Sequence, residues 1–167
     1  MTAWVDLDAF ANFCRNNNPA DRADLADAIA TGCDMVDARC GPQVTTSIVE
    51  HVHGGAYRLT LAARPASLTS IVTYVGGTAL TKTDFDFSGQ VLFRRNGGWI
   101  AEDLMVTYSA GAATAPRWAA DAAKLIGQQW WLSRLRPGPS QTPVGFLVPK
   151  QAEELMDGHE LASLGFG

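Results

Sequence analysis

Cysteine is scarce in this 167-residue chain, with Cys14, Cys33 and Cys40 the only three. An odd number cannot pair completely, and none has the Cys-x-x-Cys spacing of a zinc knuckle or redox site, so reduced, packed thiols are expected. Long apolar runs are absent too. No stretch approaches the roughly 18 residues needed to cross a bilayer, and the first residues are neither basic nor followed by the apolar core of a signal peptide. The expectation is a chain made and used in a cytoplasm, with no membrane partner. Basic clusters reduce to Arg94-Arg95 and Arg134-x-Arg136, too small and too separated for the footprint of an autonomous DNA binder. No Gly-x-Ser-x-Gly, His-Glu-x-x-His, phosphate-binding loop or Gly-x-Gly-x-x-Gly occurs. Ser109 falls in a predicted turn with no base to activate it. Adjacent Glu102 and Asp103 face opposite ways on a strand and make a poor acid–base pair; they are expected to be solvated or to meet Arg94 or Arg95 across a hairpin. No catalytic residue and no cofactor is assigned.

What is present is a composition of 47% hydrophobic and 18% charged residues, enough for one domain with its own core. The net charge of −4 is unevenly placed. Residues 1–41 hold seven acidic side chains against three basic, while the remainder balances ten against ten. Asp6 can cap a short helix, 6–15, and Asn18-Pro19-Ala20-Asp21 supplies a cap, a first-turn proline and a capping carboxylate for a second helix, 19–40. On that second helix Leu25, Ile29, Cys33, Val36 and Cys40 recur at three- and four-residue steps. Asp21, Asp24, Asp27, Asp34 and Asp37 fall mainly on the other side, so one face is expected to be buried and the other anionic.

From residue 43 to 108 the period changes to two, clearest at Tyr57, Leu59 and Leu61, and a β insert is expected. Gly54-Gly55, Gly76-Gly77 and Asn96-Gly97-Gly98 read as hairpin tips in a meander ending at Tyr108. Val106-Thr107-Tyr108 then passes through Gly111 to Pro116, which opens a third helix, 116–135. Its apolar residues form two adjoining stripes, Trp118, Ala122, Leu125 and Leu132 beside Ala119, Ala123, Ile126 and Trp130, an arc wide enough to need two partners. Arg136-Pro137-Gly138-Pro139 cannot be helical. Residues 137–167 therefore read as a C-terminal arm, with a short helix at 150–156, following a domain of 1–136. The fold class is α+β: a small helical bundle interrupted by an antiparallel β insert of hairpins.

Three sets of residues invite a functional role. His51 and His53 alternate onto one side of a strand and could present two imidazoles to a metal, with Cys33 or Cys40 imagined as a third ligand. A solvated strand end is the favoured reading, since no neighbouring acid-rich or His-rich segment completes a shell, and no metal site is assigned. The aspartate face, Asp24, Asp27, Asp34 and Asp37, is anionic whether solvated or lining a channel. Trp130 and Trp131 point about 100° apart on a helix, so at least one is expected to leave the core as an interface anchor. Trp118, Arg134, Arg136, Phe146, Leu147 and Val148 complete the candidate subunit or partner surface.

The order of elements, the passage from Val106-Thr107-Tyr108-Ser109-Ala110-Gly111 to Pro116 with Trp99 upstream, the amphipathic third helix and the late Gly145-Phe146-Leu147-Val148-Pro149 segment resemble the head-to-tail connector, or adaptor, proteins of tailed bacteriophages. The resemblance spans nearly the whole chain through short, degenerate motifs. It implies a non-enzymatic virion subunit, assembled in the host bacterial cytoplasm, that forms a ring beneath the portal, commonly of twelve copies. It also implies partners in the portal, a downstream neck or tail protein, and passing genomic DNA, with the C-terminal arm docking on the portal. Another neck or tail-completion subunit with stopper duty is the alternative within that biology; a small metal-dependent enzyme using His51 and His53 is the alternative outside it.

Overall fold

A computed structural model describes residues 3–134 and 147–160 of the chain, which forms two units, one drawn from Met1–Gln43 and Ala115–Glu160, the other from Val44–Thr114. The first is helical. Asp6 accepts the Ala9 backbone N–H and caps α1, Leu7–Phe13. Asn18 caps a 3₁₀ turn at Pro19–Asp21 through the Ala20 N–H, and that turn leads into α2, Arg22–Cys40, which closes at Gly41 with a φ of 84°. Helix α3 covers Arg117–Arg134 and α4 covers Lys150–Met156. Helix α3 lies within a residue of the expected 116–135 and α1 within two of 6–15, while α2 proper starts three residues after 19, behind the 3₁₀ turn.

The helical core depends on small residues. Helix α2 buries Leu25, Ala28, Ile29, Gly32, Cys33, Val36 and Cys40, and α3 buries Ala119, Ala122, Ala123, Ile126, Gly127 and Trp131. A methyl group added to Gly32 would overlap the Ala123 carbonyl, and one added to Gly127 would meet the Ala28 carbonyl oxygen at 3.0 Å and the Phe10 ring at 3.1 Å. The two backbones therefore approach more closely than larger side chains would allow. The buried stripe of α3 is thus its alanine and glycine edge. Leu132, expected on the apolar arc, is 42% exposed.

Helix α4, placed by sequence in the arm, buries Ala152 and Met156 in this same core, with Val148 and Leu155 packed against it. Beyond it, Arg39 pairs with Glu160 and with Asp157, and the Trp118 indole stacks on the His159 ring at 4.0 Å. Arg136, Phe146 and the proline-rich stretch between them lie outside the described residues.

The second unit holds seven strands: β1 Thr46–Val52, β2 Arg58–Thr60, β3 Pro65–Thr73, β4 Ala79–Leu80, β5 Phe85–Ser88, β6 Val91–Arg94 and β7 Leu104–Ala110. They form two antiparallel sheets, ordered β1-β7-β3-β4 and β2-β6-β5. This is not the expected meander. Of the three glycine signals only Gly76-Gly77 turns a hairpin, between β3 and β4, while the β5–β6 hairpin turns at Gly89-Gln90. Gly54-Gly55 and Asn96-Gly97-Gly98 instead mark passages from one sheet to the other. The last strand, β7, lies between β1 and β3, and alternation along it sends Leu104, Val106, Tyr108 and Ala110 into the core. Ser109 is therefore a strand residue, its Oγ 2.8 Å from that of Ser67. Tyr108 is fully buried and its hydroxyl accepts the Ala63 N–H at 3.1 Å; burial pushes the phenol up to about 12.

Two tests address the helical unit. Gly32→Ala is expected to destabilise it by about 1–3 kcal/mol, because a backbone carbonyl cannot move aside and overpacking outweighs the gain in helix propensity. Gly127→Ala, facing in part the end of a side chain, stays within about 1 kcal/mol of the parent. Denaturant unfolding of the two variants checks the order, and a reversal would disprove the close approach. The second concerns Asp37, whose carboxylate accepts the Gln43 N–H at 3.0 Å and the Trp4 indole N–H at 3.1 Å. Burial raises its pKa above 3.8 despite these bonds. The folded state then holds this proton more tightly than the unfolded one, so Asp37 contributes less stability as pH rises through the window just above 3.8. The stability of wild type minus that of Asp37→Asn should decline across that window; a difference that climbs with pH would refute the assignment.

Candidate functional site

Each unit presents exposed apolar and charged side chains. In the β unit, Tyr57 and Trp99 are 59% and 49% exposed and meet edge to face, centroids 4.9 Å apart. The bridge between Ala56 and Ile100 holds them there, with the Ile100 N–H donating to the Ala56 carbonyl at 3.0 Å. Tyr74 and Val75, at the β3–β4 turn, are also exposed, Val75 by 85%. Val49 stands out on β1, an edge strand. Exposed aromatics held by backbone pairing lose little side-chain entropy on contact, which suits a protein interface. The period-two pattern puts Tyr57 with Leu59 and Leu61, yet Leu59 and Leu61 are buried and Tyr57 is exposed; neither it nor Tyr74 carries a sequence signal for exposure, because a strand aromatic reads equally as core until its register is known.

In the helical unit the vicinal tryptophans separate. Trp131 is only 8% exposed and belongs to the core, its indole N–H buried with no hydrogen-bond acceptor among the described residues. Trp130 is half-buried, with the Arg134 guanidinium 5.1 Å from its ring centroid. Trp130 too packs against the helical core, with its indole nitrogen shielded from solvent, so neither indole stands wholly outside it. Trp118 is engaged with His159, Val148 lies against the core, and Leu147 is exposed. Along α2, Asp24, Asp27 and Asp34 are exposed. Asp37 departs from that set, being turned toward Trp4 and Gln43.

The histidine pair does have a third partner. Asp103 Oδ2 lies 3.2 Å from His51 Nε2 and 3.1 Å from His53 Nδ1, while its Oδ1 accepts the Gly54 N–H at 2.8 Å. The Gly54 bond, then those of the imidazoles, hold the carboxyl below the usual carboxylate range. This corrects the expected pairing of Asp103 with Arg94 or Arg95. Arg95 instead reaches Asp86 and the Phe85 carbonyl, and Arg94 lies over the Phe85 ring. Cys33 and Cys40 are buried in the helical core, and none of the three cysteines forms a disulfide. Desolvation raises the Cys14 thiol to about 11 and raises Cys33 as well, which disfavours a thiolate nucleophile. The contact has no local signature in the sequence: Asp103 lies some fifty residues downstream, and the pairing of Val52 with Leu104 at the end of the β1–β7 ladder brings it beside His53.

No family model matches the chain, and no curated protein matches it. Among solved structures it is similar to a chain in the neck of an empty GTA particle computed with six-fold symmetry, with a TM-score of 0.68 and 15% identity, covering 96% of this chain and 92% of that one. The chain thus shares its α+β fold, over nearly its whole length, with a chain described as part of a particle neck.

Proposed function

We propose that this protein is a structural, non-enzymatic component of the neck of a tailed phage or phage-like particle, acting as a head-to-tail adaptor. The observation that carries this reading is the fold likeness to a neck chain across 96% of the sequence. It agrees in kind with the resemblance of the element order to connector proteins. On this reading the chain assembles as a ring, and twelve copies would be compatible with the six-fold symmetry used for the similar neck. The ring joins the portal to a downstream neck or tail protein and continues the DNA conduit within the virion.

A closed ring needs a heterologous interface, one surface of each subunit meeting a different surface of the next. Tyr57 with Trp99 in the β unit, and Trp130 with Arg134 in the helical unit, are the best-formed candidates. Leu147, exposed just before α4, is assigned to portal docking, since an apolar side chain left outside the core can fill a pocket on a partner. Asp24, Asp27 and Asp34 are assigned to the lumen, where like charge keeps the DNA backbone from adhering as it passes.

Imaging the purified chain mixed with the portal of the same particle tests the proposal; a ring seated on the portal is expected. Binding to tail-side components alone would instead favour a stopper, and binding to neither would overturn the neck reading. Trp99→Ala should reduce ring assembly several-fold with its unfolding transition unchanged, Trp130→Ala should reduce assembly and also lower stability because that ring packs against the helical core, and Trp131→Ala should destabilise the monomer by about 3–5 kcal/mol. Normal assembly by both the Trp99 and the Trp130 variants would refute these anchors. Reversing Asp24, Asp27 and Asp34 together to Lys should slow DNA release from particles, measured as ejected DNA over time; unchanged release would leave those carboxylates as a solvated face.

A further inference from the structure

The cluster at the end of β1 has a property that an assembly role does not use. His51 lies on β1 and His53 one residue past its end, and Asp103, one residue before β7, reaches both imidazoles. Both imidazole nitrogens are directed at the same carboxylate oxygen, and one ligand atom from each residue falls within 4.8 Å of the other two. From these three positions, we propose that His51, His53 and Asp103 bind a divalent transition-metal ion, with Zn2+ the best match. The proposal is independent of the neck reading and departs from the expectation that the pair is merely a solvated strand end.

The donor set and its spacing carry the argument. Two imidazoles and a carboxylate suit Zn2+, Co2+ or Ni2+ better than the all-oxygen shells of Mg2+ or Ca2+. Tetrahedral Zn2+ with bonds of about 2.0–2.1 Å places neighbouring ligand atoms about 3.3 Å apart. The two His–Asp separations, 3.2 and 3.1 Å, are already close to that spacing. Only the pair at the 4.8 Å limit must contract, by about 1.5 Å at most. His53, with 82% of its side chain exposed, can supply that movement by rotation.

The other two ligands are held. Asp103 is oriented by the Gly54 N–H, and Gly54 sits so close to the Glu102 carbonyl that no side chain could replace its hydrogen. His51 is stacked on Tyr74, centroids 3.9 Å apart and planes 22° from parallel. Outer contacts of this sort fix ring and carboxylate orientation before the ion arrives. Three protein ligands leave a fourth position open to water at the exposed face. One carboxylate against a dication leaves a net single positive charge, which a solvent-facing site tolerates.

Calorimetric titration of the metal-stripped, untagged full chain with ZnCl2, paired with the visible spectrum on adding Co2+, tests the site. Wild type should bind one ion and show the intense d–d bands of tetrahedral Co2+. His53→Ala and Asp103→Asn should each weaken binding more than about tenfold, and circular dichroism of the apo variants should match wild type, because His53 is peripheral to the core. Tyr74→Ala should weaken binding less, without changing the stoichiometry. Absence of binding at millimolar Zn2+, equal binding by wild type and both ligand variants, or a thiolate-to-Co2+ charge-transfer band pointing to the cysteines would each overturn the proposal.

Discussion

The near-contact of two helix backbones at Gly32 and Gly127 is the constraint on which the helical unit rests. A side chain at Gly32 would have to pass through the Ala123 carbonyl, so the small residues of α2 and α3 are geometric requirements and not merely helix formers. That closeness sets the remaining packing. With the α2–α3 seam filled by alanine and glycine, bulk is provided from its margins by Phe10, Leu25, Ile29, Ile126 and Trp131, and from α4 by Met156. Polar closure follows at the ends: Asp37 ties Trp4 to the turn after α2, and Arg39 gathers Asp157 and Glu160. Those last ion pairs are exposed and contribute little individually; the burial of Ala152 and Met156 is what keeps α4 in place.

The β unit depends on a different device, a late central strand. Because β7 pairs on both sides, its four buried side chains sit in the middle of the unit's core, and the tyrosine among them satisfies a loop amide that would otherwise be buried without a partner. The same register brings the carboxylate of Asp103 to the histidines and the backbone of Tyr74 to the Asp103 carbonyl. Three features that look separate along the chain, a tyrosine hub, a polar cluster and an aromatic turn, are therefore consequences of one strand alignment.

How legible each feature was depends on how local its cause is. Helix ends were plain because Asp6, Asn18, Gly41 and Pro116 act on their own neighbours through caps and fixed φ. The change of period at the β insert was plain for the same reason. Strand order was not: Gly54-Gly55 and Asn96-Gly97-Gly98 carry the same chemistry as hairpin tips, and nothing nearby says that the chain crosses to another sheet there. Gly89 was overlooked because its neighbours, Ser88 and Gln90, lack the Asn-Gly or Asp-Gly signature. Trp130 and Trp131 could be separated in angle but not in burial, since which side of α3 meets α2 is settled by the alanine and glycine edge and not by the larger apolar residues. Asp103 illustrates the general difficulty, since a site assembled across a ladder has no spacing to read.

The helical unit is discontinuous in the chain, its α1–α2 pair made before the β strands and α3 only after them. During synthesis the apolar stripe of α2 must wait for its main partner until all seven strands have left the ribosome, while the contiguous β unit can complete its ladder as soon as β7 emerges. A nascent chain arrested before α3 would carry an uncovered Leu25–Val36 face, the kind of transient apolar surface that chaperones recognise. Slow elongation through the β unit would prolong that exposure, although those residues are themselves far from the stripe.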